Sequence, residues 1–129
     1  EIIFPNLVSL QGRPDIIINL TNDAWFGNTI GPYQHLSQAR LRAIEEGLPL
    51  VRVANTGISA AFNYKGVLLG KIDLMEQGVL DVLVSLQQQN TIYSQYRWKI
   101  IVSIISILIL LSVLLDVNFL TRQKAENIN

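Results

Sequence analysis

An uninterrupted apolar run near the C-terminus constrains this chain more than any other feature. Residues 100–115 carry no charged side chain, and a helix over residues 98–120 would be about 34 Å long at about 1.5 Å per residue. That length matches a bilayer hydrocarbon core of about 30 Å. Tyr93, Tyr96 and Trp98 lie at its N-terminal edge, where interfacial aromatic side chains are common. A buried core helix is the alternative, but too little protein surrounds it, so we predict one transmembrane helix.

Composition limits the chemistry of the other residues. The 129 residues include ten basic and ten acidic side chains, one histidine and no cysteine. Balanced charge without a basic face argues against nucleic-acid binding. Without cysteine, the chain forms no disulfide and no cysteine-ligated zinc site, and it supplies no cysteine nucleophile. We expect no cofactor and no metal.

The pattern before the apolar run predicts an α/β domain. A β-branched run at residues 15–19 predicts a strand buried on both faces. Residues 48–55, 59–63, 67–71 and 79–86 predict further strands, with a hairpin turn at residues 64–66. A short helix is expected at residues 5–10, and residues 87–90 are interpreted as a polar linker.

A longer helix is predicted between Pro32 and Gly47, residue types that favour the first helical position and the C-terminal cap. The helical period divides its side chains into two faces. The apolar face is expected to hold Leu36, Ala39, Ala43 and Ile44, and the polar face Gln34, Gln38, Arg42, Glu45 and Glu46. On the polar face, Arg42 is spaced to pair with Glu45 or Glu46.

A polar and aromatic loop joins the first predicted strand to this helix. It contains Asn22, Asp23, Trp25 and Phe26. Ligands of open α/β sheets lie beyond the carboxyl ends of strands, so these four residues are candidates for substrate binding. The alternative is a plain turn, in which the polar side chains cap the chain and the aromatic rings cover the sheet edge.

Two sets of motifs carry a resemblance to a known family. The first is Thr21-Asn-Asp-Ala-Trp-Phe-Gly27, followed by Ile30-Gly-Pro32 and Gln34-His35. The second is Ala39-Arg-Leu-Arg-Ala-Ile-Glu45, followed by Val51-Arg-Val-Ala-Asn-Thr-Gly-Ile-Ser59. Together they resemble the apolipoprotein N-acyltransferases of bacterial membranes. The second set is also similar to the wider nitrilase, or carbon–nitrogen hydrolase, superfamily.

The resemblance implies the C-terminal half of a nitrilase-like αββα four-layer sandwich, followed by one transmembrane helix. The expected divisions are residues 1–90 for the nitrilase-like part, residues 91–120 for the helix with its flanks, and residues 121–129 for a short tail. In the family, a cysteine thiolate takes an acyl chain from phospholipid, and the amine of a lipoprotein's diacylglyceryl-cysteine then attacks the thioester. A glutamate acts as general base, and a lysine stabilises the oxyanion.

The chain departs from this pattern at the reacting groups. Glu1 matches the glutamate of the family's Cys-Tyr-Glu motif, so the nucleophile would lie two positions before it, and the base glutamate and the lysine further upstream. Glu1 is therefore expected only to support the active site. Lys65 and Lys71 do not match the family's lysine, and His35 is interpreted as a helix-surface or packing residue. The polypeptide alone is expected to be inactive.

The implied partners are a phospholipid acyl donor, an apolipoprotein acceptor, the membrane and the N-terminal half of the enzyme. The implied location is the bacterial inner membrane, with the nitrilase-like part periplasmic and the tail cytoplasmic. Charge alone does not orient the helix, because Arg97 and Lys99 flank one end and Arg122 and Lys124 the other. A membrane-anchored nitrilase-type amidase and a non-catalytic remnant of a split gene are the alternatives.

Overall fold

The computed structural model describes residue 2 and residues 12–126, with side chains described as far as residue 115. Glu1 and the short helix expected at residues 5–10 lie outside the described residues. The chain divides into two units, Glu1–Ser94 and Gln95–Asn129. The first is an α/β unit and the second is helical, so the predicted fold class is confirmed.

A mixed four-stranded sheet forms the centre of the first unit. Its strands are β1 (Ile17–Asn22), β2 (Leu50–Asn55), β3 (Ser59–Phe62) and β4 (Leu68–Ile72), in the order β1-β2-β3-β4. β1 and β2 are parallel, while β2–β3 and β3–β4 are antiparallel. These four strands lie within three residues of the predicted positions. The parallel pair requires a crossover, which helix α1 (Gly31–Glu46) supplies.

Helix α1 begins and ends where the sequence predicts. Pro32 lies in its first turn, and Gly47 caps its end in the left-handed conformation with φ of 63°. Ala39 and Ala43 are fully buried, and their small side chains let the helix lie close to the sheet. The core of the unit consists of Ile2, Ile17, Ala39, Ala43, Leu48, Leu50, Ala60 and Phe62, with Leu36 packed against it.

The predicted division of α1 into an apolar and a polar face is wrong at three positions. Arg42 and Glu46 are buried, whereas Ile44 is exposed. Arg42 reaches Glu45 at 2.6 Å, as its spacing suggests, and its Nε also donates to the carbonyl of Ile2. Charged side chains are buried where they are paired, a condition that the helical period does not encode.

The prediction for β1 is correct in position and differs in burial. Ile17 and Asn19 are buried, but Ile18 and Leu20 are 66% and 74% exposed. Val53 on β2 is also exposed, and it lies on the same face, because it pairs with Leu20 in the register. The described residues therefore bury one face of this strand pair and leave an apolar patch of Ile18, Leu20 and Val53 on the other.

The strand predicted at residues 79–86 is absent, since this described segment has no regular secondary structure. Side chains of its first half lie over the sheet instead, with Leu80 and Val82 close to Gly70 of β4. The alternating pattern reflects this packing of one side against β4. It does not reflect ladder pairing.

The polar segment at residues 87–90 is held firmly to the end of α1. Arg13 donates from Nη2 to the carbonyls of Gln89 at 2.7 Å and Glu46 at 3.0 Å. It also donates to the side chains of Gln88 and Asn90. The interpretation of these residues as a simple linker is therefore incomplete, because one guanidinium ties them to the last carbonyls of α1.

Helix α2 (Ile92–Glu126) contains the apolar run. Its segment Ile92–Leu115 is long and apolar enough to cross a membrane, and it contains an 18-residue apolar window with no buried residue. At 1.5 Å per residue, this segment spans about 36 Å, more than a hydrocarbon core of about 30 Å. Length and composition agree with the predicted transmembrane helix.

Candidate functional site

The carboxyl ends of β1 and β2 meet at one edge of the sheet, as parallel strands must. Asn22 and Asn55, the last residues of the two strands, are paired in the register. The Asn55 amide donates to Asn22 Oδ1 at 3.3 Å, and the Asp23 N–H donates to the Asn55 carbonyl at 3.2 Å. The candidate loop therefore leaves β1 with its direction fixed by β2.

The loop after β1 is closed by its own hydrogen bonds. Residues Ala24–Phe26 form a single 3₁₀ turn, in which the Phe26 N–H donates to the Asp23 carbonyl at 3.0 Å. The indole N–H of Trp25 donates to the Asn22 carbonyl at 2.8 Å, while 81% of the side chain remains exposed. Gly27 follows at φ of 54°, a conformation that favours glycine. Trp25 is thus oriented by its polar atom and presents its ring to the surroundings.

A buried polar network lies directly beneath this loop. Arg52 of β2 donates from Nη2 to Asp23 Oδ2 at 2.6 Å and from Nη1 to Asn19 Oδ1 at 2.7 Å. Its Nε donates to the Ile58 carbonyl at 3.3 Å. Asp23 and Arg52 are each only 1% exposed. A buried ion pair needs such additional partners, because two charges leave water when it forms.

His35 of α1 joins the same network. Its Nδ1 lies 2.8 Å from Asp23 Oδ1 and 3.2 Å from Arg52 Nη2. We assign the Nδ1 proton to the shorter contact, so that the imidazole donates to the carboxylate. The expected surface position of His35 is wrong and the expected packing role is right, since the side chain is buried.

Gly57 completes the enclosure of Asp23. A Cβ at this position would lie 2.3 Å from Asp23 Oδ2, well inside van der Waals contact. The β2–β3 turn therefore approaches the carboxylate as closely as a bare Cα allows. The preceding Thr56 has φ of 56°, which is unusual for a residue with a branched side chain.

A cleft of about 390 Å³ opens between the loop and the first turns of α1. This volume lies within the range of about 300–1,000 Å³ for small-molecule sites. The lining includes the two aromatic rings of the loop and the amides of α1: Thr21, Asn22, Trp25, Phe26, Gly31, Gln34, His35 and Gln38. None of these side chains is a carboxylate, a lysine or an arginine.

Of the four loop residues proposed from the sequence, three line the cleft and one does not. Asn22, Trp25 and Phe26 line the cleft, whereas Asp23 lies below it in the polar network. Glu1 lies outside the described residues. Sequence reasoning assigned no role in the site to Arg52, Asn55 or Gly57. The available signal was the alternation of β2, which places Arg52 on the same face as buried Leu50.

Two lysines were set aside from the sequence, and neither is among the residues described as lining the cleft. Lys65 lies over the Tyr64 ring, 5.4 Å from its centroid. Lys71 pairs with Asp73, and this side-chain hydrogen bond raises the pKa of Lys71 above its ordinary value. Within the described residues, no group of three or more His, Asp or Glu side chains is placed to hold a metal ion.

The sequence is similar to one family of known proteins. Residues 1–92 match the carbon–nitrogen hydrolase family. A relative from Rhizobium rhizogenes, named apolipoprotein N-acyltransferase, is 46% identical over 123 residues, which cover 95% of this chain and 23% of the relative. A relative of the same name from Rhodopseudomonas palustris is 45% identical, and the match covers 86% of this chain and 22% of the relative. Another from Rickettsia bellii is 44% identical, and the match covers 90% of this chain and 24% of the relative. The chain thus spans about a quarter of the length of these curated relatives.

The buried ion pair predicts a large effect of removing Arg52. We expect Arg52→Met to destabilise the sheet by about 3–5 kcal/mol, because it leaves the Asp23 carboxylate buried without its cation. Amide hydrogen exchange in β1 and β2 of the detergent-solubilised chain measures this loss.

The matched control is Arg40→Met, which removes an arginine whose Nε donates to the Gly66 carbonyl among the described residues. It should cost about 1 kcal/mol. The double variant Asp23→Asn with Arg52→Met should recover part of the loss, since neither charge is then buried alone. Equal protection of β1 and β2 in Arg52→Met and the unchanged chain would contradict the assignment.

Proposed function

The chain belongs to the carbon–nitrogen hydrolase family, and on that premise we propose that it forms part of an apolipoprotein N-acyltransferase. The observation that carries the proposal is the continuous similarity to a relative of that name over 95% of the chain. A match of that extent takes in both the aromatic loop and the apolar helix. A binding cleft and a membrane attachment both suit an enzyme that acts on lipid and lipoprotein.

The proposed reaction proceeds through two acyl transfers. A cysteine thiolate attacks the ester carbonyl of a phospholipid, forms a thioester and releases lysophospholipid. The amine of a lipoprotein's diacylglyceryl-cysteine then attacks the thioester, forms an amide and releases the thiolate. The cysteine, the base glutamate and the lysine are not supplied by these 129 residues, and Glu1 is proposed to support the nucleophile from two positions further along the chain.

The part proposed for this chain is binding. Trp25 and Phe26 are apolar rings on the surface of an uncharged cleft, which suits the acyl chain of a lipid. Asn22 also lines the cleft, and its Oδ1 accepts a hydrogen bond from the Ala24 N–H at 3.1 Å. Asp23 is proposed to act from beneath, because its carboxylate is bound to Arg52 and His35.

The exposed apolar patch of Ile18, Leu20 and Val53 supports a further partner, the other half of the sandwich. Parallel strand pairs are covered on both faces in most α/β proteins. A second sheet from the N-terminal half would cover this patch and give the αββα layers. We retain residues 1–90, 91–120 and 121–129 as the proposed divisions into nitrilase-like part, membrane helix and tail.

The absence of a thiol gives the first functional prediction. The purified 129-residue polypeptide should form no thioester with tagged phospholipid, because no other side chain in it is a credible replacement for a thiolate. The measurement is retention of the tag after denaturation and its release by neutral hydroxylamine. The Rhizobium rhizogenes relative serves as positive control, and hydroxylamine-sensitive labelling of the short chain would contradict the proposal.

The exposed indole of Trp25 gives the second functional prediction. In an active enzyme that contains this chain, Trp25→Ala should lower acyl transfer per folded molecule by roughly tenfold or more, the effect of removing a large ring that contacts a ligand. Thermal stability should change little, because the ring is mostly outside the core.

Trp98→Ala makes the same chemical change outside the cleft and serves as the control. A collapse of stability in Trp25→Ala with unchanged activity per folded molecule would make Trp25 a structural residue. A parallel assay with short amide substrates distinguishes the acyltransferase from a nitrilase-type amidase.

The third functional prediction concerns membrane topology. We propose an inner-membrane protein with a periplasmic sheet unit and a cytoplasmic tail. Leu and Ile each favour insertion by about 0.3–0.6 kcal/mol, but the balanced flanking charges do not set the direction. In the complete enzyme, a cytoplasm-active reporter fused after Asn129 should function, and a periplasm-active reporter should not. The reverse result would place the cleft on the cytoplasmic side and contradict lipoprotein acylation.

A further inference from the structure

Phe26 is confined between two neighbours on α1. A Cβ on Gly31 would lie 2.5 Å from Phe26 Cδ1 and 2.8 Å from Cγ, so the ring rests against a bare Cα. The backbone of Gly31 does not adopt the left-handed conformation that favours glycine. The close approach of Phe26 is therefore the physical reason for glycine at this position.

His35 is the second residue of α1 that contacts the Phe26 ring. The two ring centroids lie 6.0 Å apart at an interplanar angle of 65°, the edge-to-face arrangement that aromatic pairs favour. The imidazole cannot swing away without losing its bond to Asp23, which is itself held by Arg52. A chain of contacts thus runs from the buried ion pair through His35 to Phe26.

The confined ring forms part of the cleft wall. Phe26 is 40% exposed, so part of the ring is available to a ligand. No carboxylate, lysine or arginine side chain lines the cleft, which disfavours an ionic group and favours an uncharged apolar chain. One fixed ring in this wall takes up part of the space that such a chain would occupy.

We infer that Phe26 is the specificity-determining residue for the length of acyl chain in this cleft, and that His35 is a positioning residue which holds it. This rests on the proposed function, in which the cleft binds the acyl chain of a lipid. His35 acts through the ring of Phe26 and takes no part in proton transfer to substrate. Gly31 provides the space in which Phe26 sits.

Photo-crosslinking tests the inference on the full 129-residue chain in phosphatidylethanolamine nanodiscs. Each sample contains a phospholipid with a diazirine near the ester, at mid-chain or near the terminal methyl. Mass spectrometry locates the adducts and gives a depth profile for the cleft residues. The unchanged chain should show adducts at Trp25 and Phe26 with one depth strongly preferred.

Four variants test the roles of Phe26, Gly31 and His35 separately, with Ser37 as the control. Phe26→Leu shortens the wall and should move the preferred depth toward the terminal methyl, with a change in relative yield of roughly tenfold, as for methylene selection in apolar pockets. Gly31→Ala displaces the ring and should also change the profile. His35→Asn keeps an amide N–H for Asp23 but removes the ring, so it should change the profile while the sheet stays protected from hydrogen exchange. Ser37→Ala, on the same helix but outside this cleft, should leave the profile unchanged.

The outcomes distinguish this inference from the proposed function. Absence of cleft adducts in the unchanged chain would overturn the lipid site itself. Cleft adducts with the same depth profile in all variants would overturn the role of Phe26 and leave the lipid site intact. A profile that moves in Phe26→Leu but not in His35→Asn would overturn positioning by His35, because the hydrogen bond alone would then be sufficient.

Discussion

The carboxyl edge of the sheet depends on one buried ion pair, Asp23 with Arg52. The Arg52 guanidinium binds β1 through Asn19, the aromatic loop through Asp23 and the β2–β3 turn through Ile58. A guanidinium is a planar fork with fixed donor directions, so three partners on three segments define its orientation and their own. Lysine would supply one charged nitrogen and could not hold these segments in one geometry.

This arrangement explains how two large apolar rings remain on an exposed loop without random orientation. Trp25 is fixed by its indole N–H and Phe26 by its neighbours Gly31 and His35. Exposed apolar area is unfavourable in water by about 25 cal/mol per Å². A loop already ordered by a network below it loses little further entropy on binding. This small entropy cost favours binding of a ligand that covers the rings.

The sequence was sufficient wherever a local pattern decides the outcome. Pro32 and Gly47 set the limits of α1, and the apolar run set the position of the candidate membrane-spanning segment. It failed where partners distant in sequence decide. Arg42 and Glu46 are on the polar side by helical period but are buried. Residues 79–86 alternate like a strand, yet they lie over β4 without pairing.

The candidate site shows the same division. The loop residues were identifiable because polar and aromatic side chains follow an apolar strand. The role of Arg52 was not, because the alternation of β2 places this side chain on the buried face but does not show which groups neutralise its charge. Its burial depends on Asn19 and Asp23, which lie about 30 residues earlier. Only the parallel register of β1 and β2 brings them together, and that register is a property of the fold.

The apolar patch on β1 and β2 is where the burial predicted from the sequence differs from the burial in the structure. The sequence pattern indicates burial on both faces, whereas Ile18 and Leu20 are exposed in the described residues. A strand with apolar side chains on both faces is typical of a sheet that is covered on both faces. One such face left exposed to water is unfavourable. The exposed face therefore supports the proposal of a second sheet. If that sheet is present, the cleft lies at the edge of a closed sandwich, with the ion pair holding one wall from inside.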